Sequence, residues 1–295
     1  MTAREEGFLL LTSHLGNPER RPLTVAQFRN LTRRARQMEK PTQERDITEE
    51  DLLQIGCDRS FARRVMELLS QQQQLRWYLD RGRKYDCYPV TRLNPFYPSQ
   101  VRRLLDIEAP GCLWIKGDLS VLNKPMVALV GSRDLAAENQ KFAMELGKQA
   151  ALQGYTLVSG NARGADRTAQ ESCLESGGTV ISIIADELIN CPLRKGVLYF
   201  SEEDFDQAFS AQRALSRNRI IHILGKKTFV AQCDLNRGGT WDGSIKNLQN
   251  GWSSVFCFDD GSVSARELIL RGAVPVSIER LSCIENLQND IIRLI

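Results

Sequence analysis

The chain has 295 residues and a mass of 33.3 kDa, with 42% apolar and 25% charged side chains, proportions of an ordinary globular protein that exclude extensive disorder. Single cores stop growing near about 250 residues, so this length accommodates one or two domains. The formal net charge of +3 does not by itself announce nucleic-acid binding, and it is unevenly placed: residues 1–85 hold 16 Lys/Arg against 12 Asp/Glu, residues 86–295 hold 23 against 24.

Residues 1–85 read as a small all-helical domain. Met1–Glu6 is polar and the apolar run Phe8–Leu11 is too short for a secretory core or a membrane span, so neither is expected. Thr24 suits the N-cap of a helix whose Val25, Phe28 and Leu31 recur at helical spacing, while Arg29, Arg33, Arg34 and Arg36 fall on its other face. Beyond Pro41, Thr48 with Asp51 has the pattern of a capping box and predicts a short helix that ends at Gly56. A longer helix is predicted from Ser60 to Leu79, with Phe61, Val65, Leu68 and Leu69 turned inward and Gly82 as its stop. The hinge Ile55-Gly56-Cys57-Asp58 has one glycine where a phosphate-binding helix-hairpin-helix uses two, so it reads as a plain turn between packed helices.

Residues 86–295 read as a second domain. It opens with a connector over 86–112, rich in Pro and aromatics and expected to lie extended. Strands are predicted near Leu113–Ile115, Met126–Val130, Thr156–Val158, Thr179–Ile184, Thr228–Ala231 and Ser254–Phe256. Helices are predicted near 136–153, 165–176, 213–224, 243–250, 263–271 and 281–293. Short apolar strands alternating with helices predict an α/β fold, an extended Rossmann-like parallel sheet covered on both faces, behind the helical N-terminal domain. The eight cysteines, with no CxxC pair, fit free thiols in a reducing cytoplasm, and the two histidines, far from any Cys at ligand spacing, give no metal site.

Open parallel sheets bind ligands at the carboxyl ends of their strands. There, Gly131-Ser132-Arg133 follows one strand, Ser159-Gly160-Asn161-Ala162-Arg163-Gly164-Ala165-Asp166 the next, and Arg237-Gly238-Gly239-Thr240-Trp241-Asp242-Gly243 comes soon after a third. Each loop offers backbone amides, two of them at helix starts where the macrodipole favours anions, and one arginine suited to phosphate oxygens. Ser216-Arg217-Asn218-Arg219 places two more arginines on a helix expected near the same edge. Gly131-Ser132-Arg133-Asp134-Leu135-Ala136 lacks the second and third glycines of the dinucleotide fingerprint, and there is no Walker A sequence, so an NAD or ATP cofactor is not expected.

These loops resemble the DprA/Smf (DNA-processing protein A) family. The matching stretches, in order, are Tyr88-Pro89 with Ala109-Pro110-Gly111-Cys112-Leu113-Trp114-Ile115-Lys116-Gly117, then Val127–Arg133, Val158–Asp166 and Arg217-Asn218-Arg219-Ile220-Ile221. The likeness runs from about residue 85 to 260, and the preceding helical unit is similar to the sterile-alpha-motif-like domain of many members. The resemblance implies a non-enzymatic protein of the cytoplasm that binds single-stranded DNA in a basic pocket, self-associates as a homodimer, and loads the RecA recombinase in transformation or recombination. It places binding at Gly131, Ser132, Arg133, Ser159, Gly160, Arg163, Gly164, Asp166, Arg217, Asn218 and Arg219, to which the loop Arg237, Gly238, Gly239 and Thr240 adds further amides.

Two features depart from the family. Gly238-Gly239-Thr240-Trp241-Asp242-Gly243 is closer to the glycine-rich loop of LOG-type nucleotide hydrolases and nucleotide sensors, which keeps a nucleotide-binding alternative open with Asp166 and Asp242 as its acids. The stretch after residue 260 is too short for the winged-helix domain many members carry. Trp241 reads equally as a stacking platform or a packing residue, Asp166 as an N-terminal cap, and the arginines after Thr24 as a solvated face or a separate DNA contact.

Overall fold

A computed structural model describes residues 1–36 and 46–288. Five helices come first: α1 (Ala3–Thr12), α2 (Val25–Ala35), α3 (Glu49–Gln54), α4 (Arg59–Ser70) and α5 (Gln72–Lys84). There follow β1 (Tyr88–Thr91), α6 (Ser99–Leu105), β2 (Cys112–Gly117), β3 (Met126–Val130), α7 (Ala137–Leu152), β4 (Thr156–Ser159), α8 (Ala165–Glu175) and β5 (Thr179–Ile184). The chain continues through β6 (Val197–Ser201), α9 (Ala211–Leu224), β7 (Lys227–Val230), α10 (Gly238–Asn250), β8 (Ser254–Phe258), α11 (Val263–Leu270) and β9 (Val274–Val276).

The strands form one nine-stranded sheet in the order β1-β2-β6-β5-β4-β3-β7-β8-β9. β2 is antiparallel to β1 and β6, and the remaining pairs are parallel. From β3 the sheet grows one way to β6, α9 carries the chain back, and β7 to β9 grow the other way. The loops leaving β3 and β7 therefore diverge, which opens the crevice that such sheets use for ligands.

Alternate strand residues point to opposite faces, and both faces are covered. Val127 and Leu129 share a core with Phe142 of α7 and Ala169 of α8, whereas Ala128 and Val130 share another with Ile220 of α9, Trp241 of α10 and Leu268 of α11. A third cluster, including Leu11, Leu31, Leu52 and Val65, lies within α1–α4. α1 and α5 also reach the sheet: Leu9, Leu75 and Tyr78 pack with Trp114 and Phe205, and the Tyr78 hydroxyl donates to Asp206 at 2.6 Å.

All six predicted strands are present, but β1, β6 and β9 are additional. β1 and β9 are edge strands that contain Pro89 and Pro275, residues that weaken a strand signal and are tolerated at edges. β6 follows β5 without a full helix between them, so strand-helix alternation conceals it. Residues 86–112 do not run extended throughout, because they also fold into α6 and a 3-10 turn at Asp106–Glu108.

The helix predicted over Ser60–Leu79 is two helices that break at Gln71, and Gly82 lies inside α5, where a side chain would meet the Cys87 carbonyl and Trp114. α1 is an extra helix, closed by a capping box between Thr2 and Glu5. The turn at Gly56 (φ +81°) leads into Asp58, which caps α4 through the Phe61 amide at 2.9 Å. Of the helix predicted over 281–293, the described part, up to residue 288, holds only the end of a 3-10 turn at Glu279–Cys283, and residues 289–295, like the stretch around Pro41, lie outside the described residues. All eight cysteines are free thiols, and no helix among the described residues is long and apolar enough to cross a membrane.

Candidate functional site

The loops leaving β3, β4 and β7 are fastened to one another at Ser132. Its amide donates to the Gln232 carbonyl beyond β7 at 2.9 Å, and its carbonyl accepts from the Ala165 amide at the start of α8 at 3.1 Å. Gly131 has no room for a side chain, since a methyl group there would overlap Ala165 and lie 3.2 Å from Ala231. The Gly131 carbonyl accepts the Thr240 hydroxyl at 3.1 Å, so the β3 loop holds the N-termini of α8 and α10 on either side of itself. Gly164 (φ +82°) passes so close beneath the carbonyls of Ser132 and Arg133 that only glycine fits.

Several candidate residues build this frame instead of facing solvent. The Asp166 carboxylate is buried and accepts from the Gly160 and Ala162 amides, each at 3.1 Å. Asp166 therefore pins the loop ahead of α8 instead of capping the helix. Burial raises its pKa, opposed by the Arg217 guanidinium and those two amides.

Arg217 is itself buried beneath Gly160, where a methyl group would overlap its guanidinium. It donates through Nε to the Ala214 carbonyl at 3.3 Å and through Nη1 to the Ile183 carbonyl, and Nη2 has no partner among the described residues. Burial lowers its pKa and the Asp166 charge opposes that, but an arginine stays protonated. The Ser159 hydroxyl is sealed in the core against Gln170, and Asn218 ties α9 to α10 through the Gly239 carbonyl at 3.2 Å. Arg219 does not join the other arginines, because it pairs with Glu202 beyond β6.

The groups presented to solvent are different ones. Arg133 and Arg237 are exposed and their side chains make no hydrogen bond or ion pair among the described residues. Arg163 pairs with Asp134 at 2.7 Å, but the two side chains are 74% and 85% exposed, so the pair is worth at most about 1 kcal/mol and gives way to a competing anion. Neither α8 nor α10 has a side-chain N-cap; in α8 the Ala165 and Arg167 amides are taken by the Ser132 and Ala162 carbonyls, whereas the first-turn amides of α10 are left for a ligand, and nothing crowds Gly238. The crevice thus offers fixed amides and movable guanidinium groups to phosphates.

Trp241 is a packing residue, 7% exposed, with the Arg271 guanidinium 5.6 Å from its ring centroid. Asp242 pairs with Lys246 at 2.8 Å one turn along α10. The described residues hold no group of three or more His, Cys, Asp or Glu arranged for a metal ion. A residue that sequence reasoning missed is Gln232, whose side chain accepts the Ala136 amide at 2.9 Å and donates to the Asp134 carbonyl at 3.1 Å. Its signal is its place, a polar residue just past β7 at the point where the strand order reverses.

His222, in the seam between α9 and α10, couples this frame to pH. Its Nδ1 lies 3.0 Å from the Asn247 side-chain nitrogen, and burial depresses its pKa from 6.5 to about 4. Above pH 6.5 the residue is neutral in both folded and unfolded chains and contributes no pH dependence. Below that, the unfolded chain takes a proton that the folded one refuses, and stability falls by about 1.4 kcal/mol per pH unit until about pH 4. Urea unfolding at about pH 7 and about pH 4.5 is expected to differ by about 2.5 kcal/mol more in the wild type than in His222→Gln. Equal differences would remove His222 from the account.

The model of a family described as DNA recombination-mediator protein A matches residues 89–259. Protein Smf of Escherichia coli K12 is 30% identical over 211 residues, which cover 66% of this chain and 55% of that protein. The DNA processing protein DprA of Streptococcus pneumoniae R6 is 35% identical over 156 residues, 50% of this chain and 54% of that protein. The chain thus spans about half the length of these two curated relatives. Among solved structures, DprA from Streptococcus pneumoniae superposes with a TM-score of 0.73 over 98% of this chain and 99% of that one, at 23% identity. DprA from Helicobacter pylori, described for its single-stranded DNA binding mode, gives 0.56 over 66% of this chain and 94% of that one, at 21% identity. At these identities the two structures establish the fold.

Proposed function

The chain belongs to the DNA recombination-mediator protein A family, and from that premise we propose that it is a cytoplasmic protein that holds single-stranded DNA, without covalent chemistry, in uptake, processing or recombination. One observation carries the reading: the exposed, unpaired Arg133 and Arg237 stand on the loops after β3 and β7, between which the strand order reverses, with Arg237 at the uncapped start of α10. Guanidinium groups and amides neutralise phosphates along a strand without reading bases, and the free Nη2 of Arg217 adds a donor from below. Ser132, Gly160, Gly164 and Asp166 hold the loops at the spacing this requires. Residues 1–85 serve as an accessory helical domain. Homodimer formation and transfer of the strand to a RecA recombinase belong to the same proposal and rest on family membership.

A nucleoside-phosphate hydrolase in the same crevice would need a carboxylate free to assist cleavage. Asp166 is committed to two amides and Asp242 to Lys246, which weighs against that alternative. Anisotropy of a labelled oligothymidylate, titrated at increasing salt, is expected to give affinity that falls steeply as counterions are released. Parallel incubation with nucleoside monophosphates is expected to release no free base. Base release without oligonucleotide binding would reverse the assignment.

A further inference from the structure

Away from the strand-end loops, Ser70, Gln71, Gln73, Gln74 and Trp77 line an open groove of about 550 Å³ along the start of α5. Trp77 is 53% exposed, whereas Trp114 and Trp241 are buried and Trp252 is half-buried. Gln73 and Gln74 stand four and three residues before Trp77 and so lie on its side of the helix. One turn further, the Arg81 guanidinium sits 5.9 Å from the Trp77 ring centroid, steadied by its ion pair with Asp206.

Internal hydrogen bonds set the direction of two of these amides. Arg20 can only donate, and its Nε gives a hydrogen to Gln71 Oε1 at 2.7 Å, which leaves the Gln71 Nε2 donor without a partner. The Leu15 carbonyl can only accept, and it takes Gln74 Nε2 at 3.1 Å, which leaves Gln74 Oε1 as an available acceptor. An exposed indole therefore stands beside one free donor and one free acceptor. A nucleobase matches all three at once: its flat face stacks on indole, and adenine or cytosine carries an amino donor next to a ring-nitrogen acceptor. No carboxylate lines the groove to repel a polyanion.

We propose that this groove is a base-stacking subsite for an unpaired base of single-stranded nucleic acid, with Trp77 as platform and Gln71 and Gln74 as edge contacts. The proposal deepens the reading that the crevice holds single-stranded DNA, whose strand would supply the base. Their placement permits this, because α5 is anchored through Tyr78 and Arg81 to Asp206, just past the carboxyl end of β6. β6 runs parallel to β5, so Asp206 lies along the same sheet edge as the crevice loops.

The test titrates the full chain with oligodeoxyadenylate of about 20 nucleotides, ample for one single-stranded site, and with an abasic strand of equal length. Tryptophan emission reports stacking and dye anisotropy reports binding. Oligodeoxyadenylate is expected to quench Trp77, and the abasic strand to bind without quenching. Trp77→Ala is expected to abolish the quench and weaken oligodeoxyadenylate about tenfold with no change for the abasic strand, while Trp77→Phe retains most of the affinity. Gln74→Ala is expected to reduce the preference for adenine over thymine. Unchanged oligodeoxyadenylate binding by Trp77→Ala, or quenching by a proline-rich peptide and not by DNA, would overturn the proposal. Should neither strand bind the wild type, the crevice reading fails, and free deoxyadenosine then decides the groove: quenching of Trp77 upholds it, and no quenching overturns it.

Discussion

Replacing Arg133 and Arg237 together by Ala is expected to lower the affinity for single-stranded DNA about a hundredfold at moderate salt and to leave the fold intact. Both side chains are exposed and make no hydrogen bond or ion pair among the described residues, so removal leaves no buried group without a hydrogen-bond partner, and unfolding free energy should move by no more than about 0.5 kcal/mol. A charge-assisted hydrogen bond to phosphate contributes about 1.5–3 kcal/mol, which makes about tenfold per arginine a conservative figure. The two side chains belong to different loops with no shared partner, so their losses should add. The salt dependence should also flatten, since each phosphate contact on a single strand contributes about 0.7 to the slope of log affinity against log salt. Anisotropy titrations at several salt concentrations measure both. A double variant with wild-type affinity and slope would move the DNA elsewhere on the molecule.

Asp166→Ala, by contrast, acts on the frame. Its carboxylate holds the amides of Gly160 and Ala162 and opposes the charge of buried Arg217. The buried Gly160 amide loses its partner at about 1–3 kcal/mol, the half-buried Ala162 amide at less, and the guanidinium loses its nearby countercharge, so a loss of about 3 kcal/mol is the expected result. In a chain of this size that lowers Tm by roughly 6–10 °C, readable by calorimetry. Asp166→Asn separates the contributions, because an amide oxygen still accepts both hydrogens while the charge is gone.

Burial raises the Asp166 pKa, so the folded state keeps the proton to a higher pH than the unfolded chain. Stability from that proton is full below the unfolded pKa and is lost as pH rises through the folded one, and Asp166→Asn should lack this dependence. A catalytic carboxylate would give another pattern, with stability unchanged and a reaction lost. Wild-type Tm in Asp166→Ala would contradict the framing role.

The sheet was largely legible because apolar runs such as Val127–Val130 and Thr179–Ile184 are buried on both faces, which removes any ambiguity of side. Legibility ended where pairing depends on a distant neighbour. Tyr88–Thr91 becomes a strand only by lying against β2, and Val197–Ser201 only by filling the gap between β2 and β5. The loops themselves could be read, because glycines after strands mark close backbone approach, and Gly131 and Gly164 meet their neighbours as that rule requires.

The roles of individual arginines could not be read. Arg133 and Arg217 both sit beside small polar residues, but one projects from a loop and the other is covered by Gly160, and only the tertiary packing of α9 separates them. In sequence Trp241 suits stacking and packing equally, and the burial of its ring decides for packing. The Trp77 groove has a similar origin, since the direction of Gln71 is set by Arg20, which is 51 residues away in sequence.

The central claim, that the strand-end crevice holds the DNA, is met most directly by a structure of the full chain with a short oligothymidylate. The account predicts phosphates against Arg133 and Arg237 and at the first-turn amides of α10, with Arg217 beneath them and Asp166 still bound to the loop. A strand lying instead along Arg29 and Arg33 of α2, with the crevice empty, would contradict it.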